Sequence, residues 1–277
     1  MSCEQCTQGF VLPGEPEGSM VDGAYFHEGP STTTNTSDDT DSSKPKVAIV
    51  LLTDIFGLPL KNSKLIADEI SNKVGCDVWI PDVFEGKYIV KAEEMEPLFP
   101  DRAGVGISFL SYLRFALLAL PRIHLFYANR PSVVDARAKS FIKKIRETKK
   151  YEKVGAVGYC FGGAIAVRIG SDPTVVDSIV IAHPGHISDA QIKDIKVPAS
   201  WECAEEDMSF KTPQRNNAEA IFAARKDKPD YIDYEFKDYK GTFHGFAARP
   251  NLGLPEIVEA YNGALEQTVN WFKKTLL

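Results

Sequence analysis

Val154-Gly155-Ala156-Val157-Gly158-Tyr159-Cys160-Phe161-Gly162-Gly163-Ala164-Ile165-Ala166 reads as a buried strand, a sharp turn and the start of a helix, with a thiol at the apex. Its centre, Gly158-x-Cys160-x-Gly162, has the spacing of a nucleophile elbow with cysteine in the nucleophile's place. The two glycines have a mechanical reason, because strand and helix backbones press together there and a Cβ would collide. Cys160 is then pushed out at the carboxyl end of a strand, where the first helical N–H groups favour a thiolate or a neighbouring oxyanion. Buried unreactive cysteines and glycine-rich strand-to-helix turns also occur in many α/β proteins. The motif therefore takes its meaning from the rest of the chain.

Outward from the elbow, short apolar runs alternate with helical stretches. Val47-Ala48-Ile49-Val50-Leu51-Leu52 is continuously apolar and suits a central parallel strand covered on both faces. Leu60 to Lys73 has helical spacing, and Asp77 to Asp82 reads as another short strand with its turn. Pro131 to Lys150 is an amphipathic helix with proline in its first turn and a cationic end. Further strands are expected at Val175–Ala182, Val197–Cys203 and Tyr231–Phe236, and Pro255 to Lys274 closes the chain as an amphipathic helix. Alternation of this kind predicts an α/β fold, a mostly parallel central sheet with helices on both faces.

Met20 to Glu28 supplies one further strand, and the polar run 30–43 reads as a mobile hairpin loop or linker with nothing to bury. Residues 1–46 are thus an N-terminal strand and loop belonging to the same domain as 47–277, which carries a helical insertion at about 93–128. Within it, Gly104 to Tyr127 is unusually apolar, but Arg114 sits mid-run and Pro121, Arg122 and His124 break its end. A membrane span needs about 20 uninterrupted apolar residues, so the expectation is one or two buried or lid-like helices covering an apolar pocket.

The 277 residues suffice for one large catalytic domain with a full core. A net charge of -6 gives no footprint for nucleic acid or an anionic membrane, so a small-molecule partner is expected. Five cysteines, an odd number scattered along the chain, do not form a secreted disulfide framework. A reducing, cytoplasmic compartment fits them, and the amino terminus does not look like a signal peptide. Cys3-Glu4-Gln5-Cys6 has zinc or redox spacing but no second pair nearby; neither a metal nor another cofactor is expected.

Nucleophilic acyl transfer needs a thiolate or alkoxide, an imidazole to move its proton, and a carboxylate to fix the imidazole tautomer. In the α/β-hydrolase pattern these follow in the order nucleophile, acid, histidine, each just past a strand. Cys160, then one of Glu205, Glu206 or Asp207, then His244 satisfy that order. His183 and His186 follow the strand directly after the elbow, too early for the base, and are read as loop or pocket-lining residues. Thr53-Asp54-Ile55-Phe56-Gly57 ends the first central strand, so the N–H groups of Ile55 and Phe161 are the expected oxyanion donors.

Together the Gly-Tyr-Cys-Phe-Gly-Gly elbow, the Asp54-Ile55-Phe56-Gly57 turn, Asp207 and the His244-Gly245-Phe246 segment resemble the dienelactone hydrolase family from about Val47 to the carboxyl end. The resemblance implies an α/β-hydrolase fold and hydrolysis of lactones or esters through an acyl-cysteine intermediate. By position it makes Cys160 the nucleophile, Asp207 the orienting acid and His244 the base. Bacterial members carry glutamate at Asp54, where it helps turn thiol into thiolate, so Asp54 is the candidate for thiol activation. They also place an arginine just after the histidine to meet a substrate carboxylate. Arg249, offset by one residue, is the candidate here, with Phe246 and Tyr159 as further substrate-binding candidates. The other class of function this sequence admits is a catalytically silent α/β-hydrolase fold that binds a ligand or a protein.

Overall fold

The computed structural model describes residues 10–30 and 46–277. Eight strands in one sheet run, in chain order, β1 (Ser19–Val21), β2 (Ala24–His27), β3 (Val47–Leu52), β4 (Asp77–Ile80), β5 (Lys153–Tyr159), β6 (Ser178–Ala182), β7 (Ala199–Glu206) and β8 (Tyr234–Phe243). Their order across the sheet is β1-β2-β4-β3-β5-β6-β7-β8. β1 and β2 pair antiparallel at one edge, and β4 to β8 are parallel throughout. This is the mostly parallel α/β arrangement expected from the alternation, and the α/β-hydrolase order of strands that the resemblance implied.

Every residue of β3 is buried, because helices cover both faces and leave no water-facing row. Ala48, Val50 and Leu52 point into a core shared with α5 (Pro131–Lys149) and α6 (Phe161–Ile169). Val47, Ile49 and Leu51 point the other way, toward α1 (Asn62–Val74) and α9 (Pro255–Leu276). The two-residue period of a strand assigns each side chain to one of these two layers.

Met20 to Glu28 forms a hairpin, where a single strand was expected. Asp22 and Gly23 both have positive φ, 51° and 80°, as a tight two-residue turn requires. Tyr25 anchors it, donating a 2.6 Å hydrogen bond to Asp68 of α1. Most of the polar run expected to be a loop, and Cys3 and Cys6, lie outside the described residues.

The 93–128 segment contains α2 (Ala92–Met95), a 3-10 turn (Glu96–Leu98), α3 (Phe109–Ala119), a second 3-10 turn (Leu120–Arg122) and α4 (Ile123–Ala128). The helices of the apolar run are not buried, contrary to the first of the two expectations: no residue of α3 or α4 is buried. α3 places Tyr112 and Phe115 on the cavity described below, and both helices leave an outer side toward solvent. Two short helices, α7 (Asp189–Lys193) and α8 (Thr212–Ala223), complete the fold beside β6 and β7.

Candidate active site

At the end of β5, Cys160 adopts φ 52° and ψ -109° as the N-cap of α6. No side chain prefers this conformation, and the surroundings impose it. A Cβ on Gly158 would strike the Gly162 carbonyl, and one on Gly162 would strike the Leu52 carbonyl of β3. The two flanking glycines are therefore what lets β5, α6 and β3 approach closely enough to form the turn. The backbone is further tied at Cys160, whose N–H donates to Ala182 (3.1 Å) and whose carbonyl accepts from Gly185 (2.7 Å). The thiol is left half-buried at the apex.

β7 and β8 deliver the other two groups. Asp207 follows β7, and His244 follows the last residue of β8. His244 Nδ1 lies 2.9 and 2.8 Å from the two carboxylate oxygens of Asp207. Asp207 Oδ1 also accepts the N–H groups of Ser209 (2.7 Å) and Phe210 (3.0 Å). Burial alone would raise the Asp207 carboxyl, but His244 and these donors hold it below the usual carboxylate range. Burial likewise opposes charge on His244, yet the Asp207 carboxylate, with Cys160 nearby, raises it to about 10. Imidazole and carboxylate are thus paired, and the imidazole shares one cavity with the thiol. Glu205 is drawn away from it, accepting the Gly241 N–H at 2.6 Å, and Glu206 is exposed.

Ile55 lies beside Cys160 on the cavity wall, and Phe161 supplies the first amide of α6. Among the described residues neither N–H has a hydrogen-bond acceptor, so both remain free to meet an oxyanion.

Three of the sequence-derived candidates have partners of their own. Asp54 is paired with Phe56 and Arg249. Its Oδ1 accepts the Phe56 N–H of its own loop at 3.1 Å and its Oδ2 accepts Arg249 Nε, from beyond β8, at 3.1 Å. Burial pushes its carboxyl upward, with Arg249 opposing. Arg249 does line the cavity, but its charge is committed to Asp54 and its guanidinium lies 4.7 Å over the Phe56 ring. Tyr159 faces the wrong layer: strand alternation turns it into the core against α9, where it meets Thr268. Phe246 lies on the cavity wall.

His183 is the neighbour that sequence reasoning undervalued. It is buried, its ring centre is 5.1 Å from that of His244, and among the described residues neither ring nitrogen has a hydrogen-bond partner. Burial, with His244 beside it, holds it neutral, well below its ordinary pKa. An uncharged edge-on ring there confines the His244 imidazole without competing for its proton. Its position directly after β6, in the sequence Ala182-His183-Pro184-Gly185, was the available signal. His186 is exposed.

The cavity over Cys160 and His244 has a volume of about 290 Å³. Phe56, Met95, Phe99, Tyr112, Phe115 and Phe246 make its wall mainly apolar and aromatic. Glu96 and Asp101 line the same cavity as Arg249. Among the described residues no group of three or more histidine, cysteine, aspartate or glutamate side chains could hold a metal ion.

Comparison with known proteins identifies the family. The dienelactone hydrolase family matches residues 35–276. Hydrolase tropI of Talaromyces stipitatus is 30% identical over 271 residues, covering 97% of this chain and 94% of that protein. The human carboxymethylenebutenolidase homolog is 23% identical, with 82% of each chain covered. In fold, the chain resembles a dienelactone hydrolase-like promiscuous phosphotriesterase from metagenomic libraries, with a TM-score of 0.61 at 17% identity over 92% of both chains. By the extent of the family match and by its fold, the chain belongs to the dienelactone hydrolase family of α/β-hydrolases.

Proposed function

We propose that this hydrolase cleaves carboxylic esters or lactones through an acyl-cysteine intermediate, with Cys160 as nucleophile, His244 as base and Asp207 as the residue that orients it. The observation that carries this reading is the Asp207–His244 pair at 2.8 and 2.9 Å, with its imidazole against a thiol held at the strained apex of a glycine-flanked turn. Asp207 on Nδ1 fixes the tautomer that leaves Nε2 for the sulfur.

In this reading the Cys160 sulfur attacks the carbonyl carbon, its proton having passed to His244. The carbonyl oxygen takes the negative charge, and the Ile55 and Phe161 N–H groups receive it. One such donor is typically worth roughly 3 kcal/mol of transition-state stabilisation. As the tetrahedral intermediate collapses, the alkoxide leaves with the proton from His244. Water then gives a proton to His244 and attacks the thioester, releasing the acid and restoring the thiol.

The wall of the cavity favours a neutral acyl group, apolar or aromatic. Arg249 is neutralised by Asp54, and Glu96 and Asp101 repel a carboxylate. The test is turnover of short p-nitrophenyl esters and of neutral and carboxylate-bearing lactones by wild type, Cys160→Ala and His244→Ala. Neutral substrates are expected to turn over and both variants to fall to background. Unchanged turnover in Cys160→Ala, or none by folded wild type on any substrate, rejects the reading.

A further inference from the structure

One surface of the molecule is left unexplained by the site. α3, α4 and the turn between them are long and apolar enough by composition to cross a membrane, yet they lie folded against the protein with their outer side in water. Phe109 is 82% exposed, Leu113 47%, Leu117 64%, Leu120 69%, Ile123 67% and Tyr127 70%. Side chains of this kind carry roughly 150–200 Å² each, so this face leaves on the order of 800 Å² of apolar surface uncovered. The largest apolar patch on a typical monomer is about 300–600 Å². A standard interface buries about 800 Å² per partner.

We propose that this face is the contact between two copies of the chain, packed about a twofold axis so that each α3–α4 stretch covers the other. The area it leaves matches one side of a stable interface, and an apolar face is complementary to itself without any charge pattern. Residues 103–134 contain no carboxylate, so the contact is apolar at its centre, with the exposed Arg114 and Arg130 as charged neighbours. A lipid surface fits less well. The chain carries a net charge of -6, Glu93 and Glu94 lie on the adjoining α2, and α3 cannot leave the protein without opening the cavity that Tyr112 and Phe115 wall off. Because Tyr112 is also 52% exposed, the second copy would back that wall from outside.

The test is sedimentation velocity of the full chain over micromolar concentrations. The wild type is expected at twice the mass of one chain. Leu117→Asp combined with Ile123→Asp, two positions that touch neither the cavity nor the core, is expected to sediment as a folded monomer with dimer affinity reduced at least ~100-fold. Hydrogen exchange of residues 109–128 in the wild type, expected to slow as concentration rises through the dimerisation range, gives a readout independent of the variant. A wild type that stays monomeric, a double variant that still dimerises, or exchange that ignores concentration overturns the proposal. So does a monomeric wild type that binds phosphatidylserine-containing vesicles and loses that binding in the double variant, which would assign the face to lipid.

Discussion

His244 is where chemistry and electrostatics meet. Its pKa is raised to about 10, against its own burial, by the Asp207 carboxylate and the Cys160 sulfur. If the imidazolium is the proton donor to the leaving group, kcat/KM should fall as pH rises through about 10. Asp207→Asn removes the largest of the raising influences and inverts the hydrogen bond at Nδ1. It is expected to lower kcat by roughly 10³–10⁴-fold and to move the alkaline limb toward lower pH. A pH–rate profile of both proteins checks this; an unmoved limb would mean that His244 is not the titrating group. The three residues could be named from their order along the chain, because each falls just past a strand. Choosing Asp207 over its acidic neighbours needed either the family resemblance or the coordinates, since one residue along an irregular strand end reverses the direction of a side chain. The bulge between Ala204 and Glu206 does that here. Arg249 lines the cavity, but sequence cannot tell that it pairs with Asp54.

The elbow is the element on which the site depends, and its glycines are mechanical parts. A Cβ on Gly162 would collide with the Leu52 and Thr53 carbonyls, which are backbone and cannot swing aside. Gly162→Ala should therefore cost more than about 3 kcal/mol or prevent folding. Gly86→Ala, where φ is 73° but nothing lies within 4 Å, should cost only about 1 kcal/mol of backbone strain. Urea unfolding of the two variants decides between them, and equal losses would contradict the close approach. The strand, the turn and the helix start were all legible because glycine spacing, apolar runs and β-branched residues agree there. α3 and α4 show the opposite case. Their composition says apolar, but burial depends on what covers a helix, and among the described residues nothing covers the outer side of these two. The Asp22-Gly23 turn was legible in principle, as Asp-Gly between two short strands is a hairpin signal.

The molecule as a whole stacks two apolar layers on one sheet and brings the ends of β5, β7 and β8 together above it. That architecture was readable because a parallel sheet covered on both sides writes itself as continuous apolar strands between amphipathic helices. It also buries ionisable groups whose titration reaches global stability. Glu202 is fully buried on β7 and raised to about 8, chiefly by burial, although Thr268 donates to it. A carboxyl with a raised folded pKa contributes stability that is complete below its unfolded value of 4.5 and lost as pH rises through about 8. His244 follows the same sign, complete below 6.5 and lost as pH rises through about 10. Stability should therefore decline on the alkaline side. Glu202→Gln should raise Tm by about 2–4 °C at pH 9 and leave it nearly unchanged near pH 5, as thermal unfolding at both values would show.

Everything proposed for the site rests on a covalent bond to one sulfur. The direct measurement is intact-mass and peptide-mapping spectrometry of the wild type, acid-quenched during turnover of p-nitrophenyl acetate. One acetyl group per chain, confined to the peptide carrying Cys160 and missing from Cys160→Ala, is the expected result. Steady turnover with no acyl group on Cys160, or an acyl group on another residue whose loss stops turnover, would contradict it.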